Sequence, residues 1–435
     1  MRFRELISLG LMTFALFLGA GNVIYPPVVG QHAGHELLAA AIGFLLTAIG
    51  LPLLALVAIA RVGGSEKITN LLPQWCSQAF WVILFLVIGP LFAIPRMAVV
   101  SYEMGFAPLL SHPQNWHLFV FSTAFYSLVL PFAIRPSLLA KNVGRYITPI
   151  LVLLLAVIAW GTLTSPKGAI ASPVGMYVMH PFAEGLLQGY MTMDCIAALG
   201  FGAVIGLSVR QLGIKDPVMV AKYSAYAGVI AGVGLALVYL MLMYLGATSH
   251  SVATGATNGA EILADYVAAL FGLPGKLALT AVITLACFTT AIGVGSACAN
   301  YFSTLLKVPY ALVLTVVMVI STAVSNVGLT KLISISVPTV VMLYPLAIAL
   351  IIMGLLRSKM PKPAVIYPCT FAVVTVFAVL DGLNIAKLLP LGLAENLDQY
   401  LPLFKYQLGW VLPFLLSIVM TWYLTLSSNK KVIAA

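Results

Sequence analysis

FLGAGNVIYPP, residues Phe17 to Pro27, lies inside an apolar run long enough to cross a membrane. Gly19 and Gly21 flank Ala20, Asn22 follows, and Pro26 and Pro27 stand side by side. Glycine and proline are the poorest helix formers. An unpaired backbone group in lipid is costly, so a break at this depth is tolerated only where the freed backbone is enclosed by protein or lines a cavity. The small residues let the chain leave helical geometry without steric conflict. The freed N–H groups, with the positive end of a half-helix dipole behind them, suit a carboxylate. The freed carbonyls suit a cation or an ammonium. Asn22 adds an amide oxygen for a cation or an amide N–H for an anion. Pro26 and Pro27 are expected to restart the helix, at a position where proline forfeits no hydrogen bond.

Composition places this stretch in a membrane protein. The 435 residues are 62% hydrophobic and 8% charged, whereas soluble domains carry about 25% charged residues. So little charge cannot cover a surface facing water. Apolar runs of about twenty residues recur along the chain, as helical spans require. The alternation of a membrane β-barrel is absent. The expected fold class is therefore an all-α polytopic membrane protein. The first apolar segment begins at Leu6 behind MRFRE. Further spans follow it instead of a soluble domain, so it reads as a transmembrane helix rather than a cleaved signal. Cys76, Cys195, Cys287, Cys298 and Cys369 read as small hydrophobes.

About twelve spans are expected, near 6–29, 36–60, 78–105, 117–134, 146–164, 182–208, 218–247, 275–306, 309–326, 331–356, 363–380 and 406–427. NGAEILADYVAALFG, between the seventh and eighth, reads as a short surface helix. Sixteen basic residues, among them Arg61, Lys67, Arg135, Arg210 and Lys307, fall on one side of these spans. Lys167, Lys276, Lys331, Lys387 and Lys405 fall on the other. The positive-inside rule then puts both termini in the cytoplasm. The net charge of +10 is thus a topology signal, not a nucleic-acid surface. The chain has no GxxxxGK[ST] phosphate loop and no HExxH metal signature. Without a clustered set of catalytic side chains it is not expected to be an enzyme, to carry a cofactor or to need an obligatory protein partner.

A second interruption falls in the sixth span, FAEGLLQGYMTMDCIAALGFGAVIGL, Phe182 to Leu207. Glycines recur at Gly185, Gly189, Gly200, Gly202 and Gly206, and Asp194 lies near the middle. Spans one to five and six to ten then form two five-helix units of opposite orientation, approximately 6–164 and 182–356, each opening on a broken helix. This is the pattern of transporters built from inverted repeats with a midplane site. Accessory helices, approximately 363–427, complete a single membrane domain over 1–435. In the eighth span, TLACFTTAIGVGSA puts Ala286, Thr289 and Thr290 on one helix face. One carbonyl and two hydroxyls there supply half a sodium shell. Asp194 is suited to a substrate ammonium, a cation or a proton. Arg96, inside the third span, is expected to snorkel or to pair with another helix, with an outer gate, a place near the substrate carboxylate and a structural ion pair as its open roles, and Glu103 lies about two turns further on.

GAGNVIYPP, GPLFAIPRMAVVSYEMG (Gly89 to Gly105), GYMTMDCIAALGFG and the eighth-span TTAIG resemble motifs of the branched-chain amino acid:cation symporter family. The likeness runs over essentially the whole chain. It implies a sodium-coupled importer of leucine, isoleucine and valine in a bacterial inner membrane, with the leucine-transporter fold. It implies that sodium is held by the carbonyls of Ala15 and Leu18 with Ala286, Thr289 and Thr290, and that the substrate carboxylate meets the N–H groups at Ala20 and Gly21. Asn22, Thr192 and Asp194 join the expected substrate site, and Ala198 and Phe201 are placed in its apolar wall. A proton-coupled carrier of another amino acid, with Asp194 carrying the proton, is the alternative.

Overall fold

Helix α1 (Phe3–Phe17) stops where the small residues begin, and α2 (Ala20–Ala33) starts after a gap of two residues. In this computed structural model, which describes residues 2–110, 112, 114–134 and 148–433, Leu18 (φ −70°, ψ 85°) and Gly19 (φ −115°, ψ −166°) leave helical geometry. The break is thus a short joint, not a long unwound stretch. Pro26 and Pro27 lie well inside α2 instead of at its start, which corrects the sequence expectation. Their rings deprive the carbonyls of Asn22 and Val23 of their helical donors. Neighbouring helices and local adjustment re-satisfy such groups in membranes.

The helices continue in the expected order. Residues 37–62 form α3, and Gln74–Phe106 form α4. Then come α5 (Asn115–Ala133) and α6 (Thr148–Thr164). The second broken helix comprises α7 (Pro181–Tyr190) and α8 (Asp194–Gln211). It is followed by α9 (Pro217–Ala247), α10 (Gly259–Leu306), α11 (Tyr310–Ser325) and α12 (Leu329–Leu356). The chain ends with α13 (Pro363–Ile385), α14 (Leu391–Tyr400) and α15 (Val411–Ile433). No strand occurs among the described residues. Among the described residues, eight helical segments are long and apolar enough to cross a membrane, and Thr148–Thr164, Tyr310–Ser325 and Val411–Ser427 are shorter apolar helices. The basic loop expected around Arg135, Lys141 and Arg145 lies outside the described residues.

Local sequence accounts for the joints. α10 bends at Gly272 (φ 61°, ψ −141°), which separates the expected surface helix from the long apolar segment after it. Asn258 caps that surface helix, accepting from the N–H groups of Ala260 and Glu261 at 2.9 and 3.1 Å. α4 bends at Gly89 and Pro90, a kink the apolar pattern does not reveal. The sixth-span break also corrects its sequence reading. It falls at Met191–Met193 and contains no glycine; Met193 turns the chain with φ 65°. Gly185 and Gly189 instead let α7 pack tightly on α3, against the backbone of Ala40 and Phe44. α14, unforeseen from the sequence, has no buried residue.

The two halves of the first helix occupy the middle of the molecule, packed against α8, α9 and α10. α13 covers α12, and α15 covers α13. Outward faces expose Leu153, Leu237, Val319 and Val419, as lipid contact requires.

Candidate functional site

Two helix breaks face one another at the centre, and the expected residues converge on them. Leu18 and Gly19 end α1 with the carbonyls of Ala15 and Leu18 directed at α10. The Thr290 hydroxyl donates to the Ala15 carbonyl at 3.2 Å and the Leu18 carbonyl at 3.1 Å. The Thr289 hydroxyl donates to Ala15 at 3.1 Å and Ala286 at 3.0 Å. Five oxygens from two helices are therefore linked into one cluster through the two hydroxyls. All five residues are buried, none more than 4% exposed. Each hydroxyl has two lone pairs and can turn them inward, so the cluster matches the hard oxygen set a small cation prefers.

The second break is tied to the first through Asn22. The Gly19 N–H donates to its amide oxygen at 3.0 Å. Its amide nitrogen donates to Asp194 Oδ2 at 2.6 Å and also meets the Tyr239 hydroxyl. Tyr239, on α9, donates to the same carboxylate oxygen at 3.0 Å. Asp194 is the first residue of α8, where the positive helix end favours a carboxylate. The backbone N–H of Asp194 reaches the Thr192 hydroxyl at 3.4 Å, and that hydroxyl donates to the Gly189 carbonyl at 2.9 Å. Asn22, Asp194 and Tyr239 thus join both broken helices to α9.

The N–H groups at the start of α2 have specific surroundings. That of Ala20 points at Met97 Sδ, 3.4 Å away, a weak acceptor that an anion can replace. Gly21 faces the Arg96 guanidinium and the Thr192 backbone; a Cβ there would lie 2.6 Å from Arg96 Nη2 and 3.1 Å from Thr192 Cα. Arg96 does not snorkel and forms no ion pair among the described residues: it is 2% exposed and donates to the Met191 carbonyl at 3.1 Å and the Tyr25 hydroxyl at 3.3 Å. Glu103 lies apart from the breaks and accepts from the Leu329 N–H at 3.2 Å, at the start of α12.

Phe201 and Ala198 are buried on α8, with Phe201 edge-on to Phe17 at 5.4 Å. On the face bearing Arg61, Lys67 and Arg210, two cavities lie along α8, one of about 690 Å³ lined by Leu199, Gly200 and Ala203 and one of about 520 Å³ lined by Gly202, Ala203 and Gly206. Tyr239, Met97 and Tyr25 escaped sequence reasoning as site residues. Tyr239 carries the one available signal, a hydroxyl deep in an apolar span that must find a partner.

The sequence profile described as "Branched-chain amino acid transport protein" matches residues 2–428. The chain belongs to this family. The branched-chain amino acid transport system 2 carrier protein of Pseudomonas aeruginosa is 47% identical over 418 residues, covering 96% of this chain and 95% of that protein. The branched-chain amino acid permease BrnQ of Escherichia coli K12 is 36% identical, with 97% and 95% covered. The permease BraB of Bacillus subtilis is 38% identical, with 97% and 96% covered. Members of the branched-chain amino acid transport family are named as carriers and permeases, not as enzymes. Among solved structures, the chain is similar to Mhp1, a nucleobase-cation-symport-1 family transporter in a closed conformation with bromovinylhydantoin bound. The TM-score is 0.62 at 12% identity, covering 98% of this chain and 94% of that one. That likeness shows the fold alone: an all-helical scaffold of the same arrangement.

Proposed function

We propose that this family member is a secondary active symporter that imports leucine, isoleucine and valine, driven by a sodium gradient. It would lie in a bacterial inner membrane with both termini in the cytoplasm, where the basic face meets the positive-inside rule. The observation that carries the sodium reading is the set of Ala15, Leu18 and Ala286 carbonyls with the Thr289 and Thr290 hydroxyls, assembled by the first break and α10. Sodium enters this set as cargo and holds α1 to α10. The amino acid occupies the space between the breaks, against Ala20, Gly21, Asn22, Thr192 and Asp194, with its branched side chain toward Ala198 and Phe201. Unwound backbone serves ion and substrate in such folds because it is the only backbone free to bind them. The two five-helix series, approximately 6–164 and 182–356, rock about this site and expose it alternately to each side.

The second reading couples uptake to protons through Asp194, and what favours it is a carboxylate buried at a helix joint and bonded to neutral donors. Uptake of labelled leucine into proteoliposomes, under sodium and proton gradients imposed separately, tests both. Accumulation driven by sodium with no proton gradient is expected. Uptake indifferent to sodium would exclude the first reading.

A further inference from the structure

Arg96 is a full positive charge held at 2% exposure in the middle of the membrane domain, and no carboxylate lies within ion-pair reach of it among the described residues. One nitrogen, Nη1, is committed to the Met191 carbonyl and the Tyr25 hydroxyl. These partners belong to the second break and to α2, so the guanidinium is pinned between the two breaks. Nε is buried without any partner. Nη2 lies over Gly21, where the missing side chain leaves the fork uncovered; a Cβ would collide with it. A buried cation left unpaired is strongly unfavourable, and an anion that pairs with it recovers much of that loss.

We infer that Arg96 receives the carboxylate of the transported amino acid. The inference rests on the amino-acid reading above and goes beyond it, because it assigns that carboxylate to a side chain of α4 in addition to the backbone at Ala20 and Gly21. A guanidinium offers parallel N–H donors that match the two oxygens of a carboxylate. The Ala20 N–H, now on Met97 Sδ, belongs to the residue next to Gly21, over which Nη2 lies. Asp194 supplies the opposite pole, so the site carries one cationic and one anionic side chain, as a zwitterion requires. Because the same guanidinium holds Met191 and Tyr25, the arriving carboxylate draws both breaks together around the substrate.

The test compares leucine with leucinamide, whose carboxylate is replaced by a neutral amide, in direct binding to the full-length purified protein at saturating sodium. The wild-type protein is expected to prefer leucine by about 10- to 100-fold, the range for hydrogen bonds to a charged group. In Arg96→Gln the preference falls to about threefold or less, because leucine loses far more affinity than leucinamide. Arg96→Lys keeps the charge without the fork and retains an intermediate preference. A purely structural clamp would weaken both ligands alike and leave their ratio intact in either variant, which overturns the assignment. If Arg96→Gln does not fold, the ratio in Arg96→Lys decides in the same way. Failure of the wild-type protein to bind leucine would overturn the branched-chain reading and this inference together. Leucine binding with an unaltered ratio in the variants would overturn this inference alone.

Discussion

At the scale of single residues, the site depends on groups whose partners come from distant parts of the chain. Asp194 is held by Asn22 from 172 positions away and by Tyr239 from 45 positions away. Removing a donor from a buried carboxylate costs about 1–3 kcal/mol. Tyr239→Phe should therefore lower the melting temperature of the detergent-solubilised protein and weaken leucine binding. Asn22→Ala should do more, because it also strips the Gly19 N–H of its acceptor. Thr290 contributes a hydroxyl to two carbonyls of the first break. Thr290→Ala should raise the sodium concentration for half-maximal uptake about tenfold, in line with the loss of a bond to a charged group. Thr290→Ser should stay near wild type. Uptake titrated against sodium reads both, and an unchanged midpoint in the alanine variant would remove Thr290 from the cation set.

At the scale of elements, the two breaks are made differently. The first uses small residues, so the joint forms with little strain. The second places Met193 at φ 65°, a left-handed geometry that costs a side-chain-bearing residue about 1–2 kcal/mol. Met193→Gly should relieve that strain and preserve binding, whereas β-branched Met193→Val should destabilise the protein; thermal melts with and without leucine separate the two. Close packing fixes α2 against α9. A Cβ on Gly30 would strike the Met243 carbonyl, and one on Gly246 would strike that of Pro27. Gly246→Val should cost about 1–3 kcal/mol by overpacking, seen as a lower melting temperature with lost uptake. An unaltered melt would show that the crossing can give way.

At the scale of the whole molecule, the breaks form a buried centre with cavities on the basic side. The larger cavity, about 690 Å³, is lined by Ala203, Gly200, Ser296 and Asn300 and ends near Leu199 on α8. A cysteine at Ala203, in a background lacking the five native cysteines, should react with a membrane-impermeant thiol reagent applied from the basic face. Leucine with sodium should slow that reaction if binding draws the breaks together. Labelling from the opposite face alone would reverse the assigned orientation of the cavity.

Much of this architecture is legible in the amino-acid sequence. Low charge and repeated apolar runs of about twenty residues dictate a helical membrane protein, because in lipid only helices and closed barrels satisfy the backbone and the alternation of a barrel is absent. FLGAGNVIYPP announces a break because glycine and proline resist helix locally. The position of Thr289 and Thr290 on one face with Ala286 follows from helix periodicity. Solvent, helices and the first broken joint are all short-range properties, each set by neighbours a few residues apart. Local pattern misplaces Pro26 and Pro27 because their tolerance inside α2 comes from the helices around it. It misassigns the glycines of the sixth span because a close helix crossing and a break use the same residue. Met193 in a left-handed turn, the Asn22–Asp194–Tyr239 junction and the unpaired Arg96 over Gly21 are settled by which helices meet. Which charges face the joints is therefore a property of the folded chain alone, because it depends on packing between segments up to 275 residues apart.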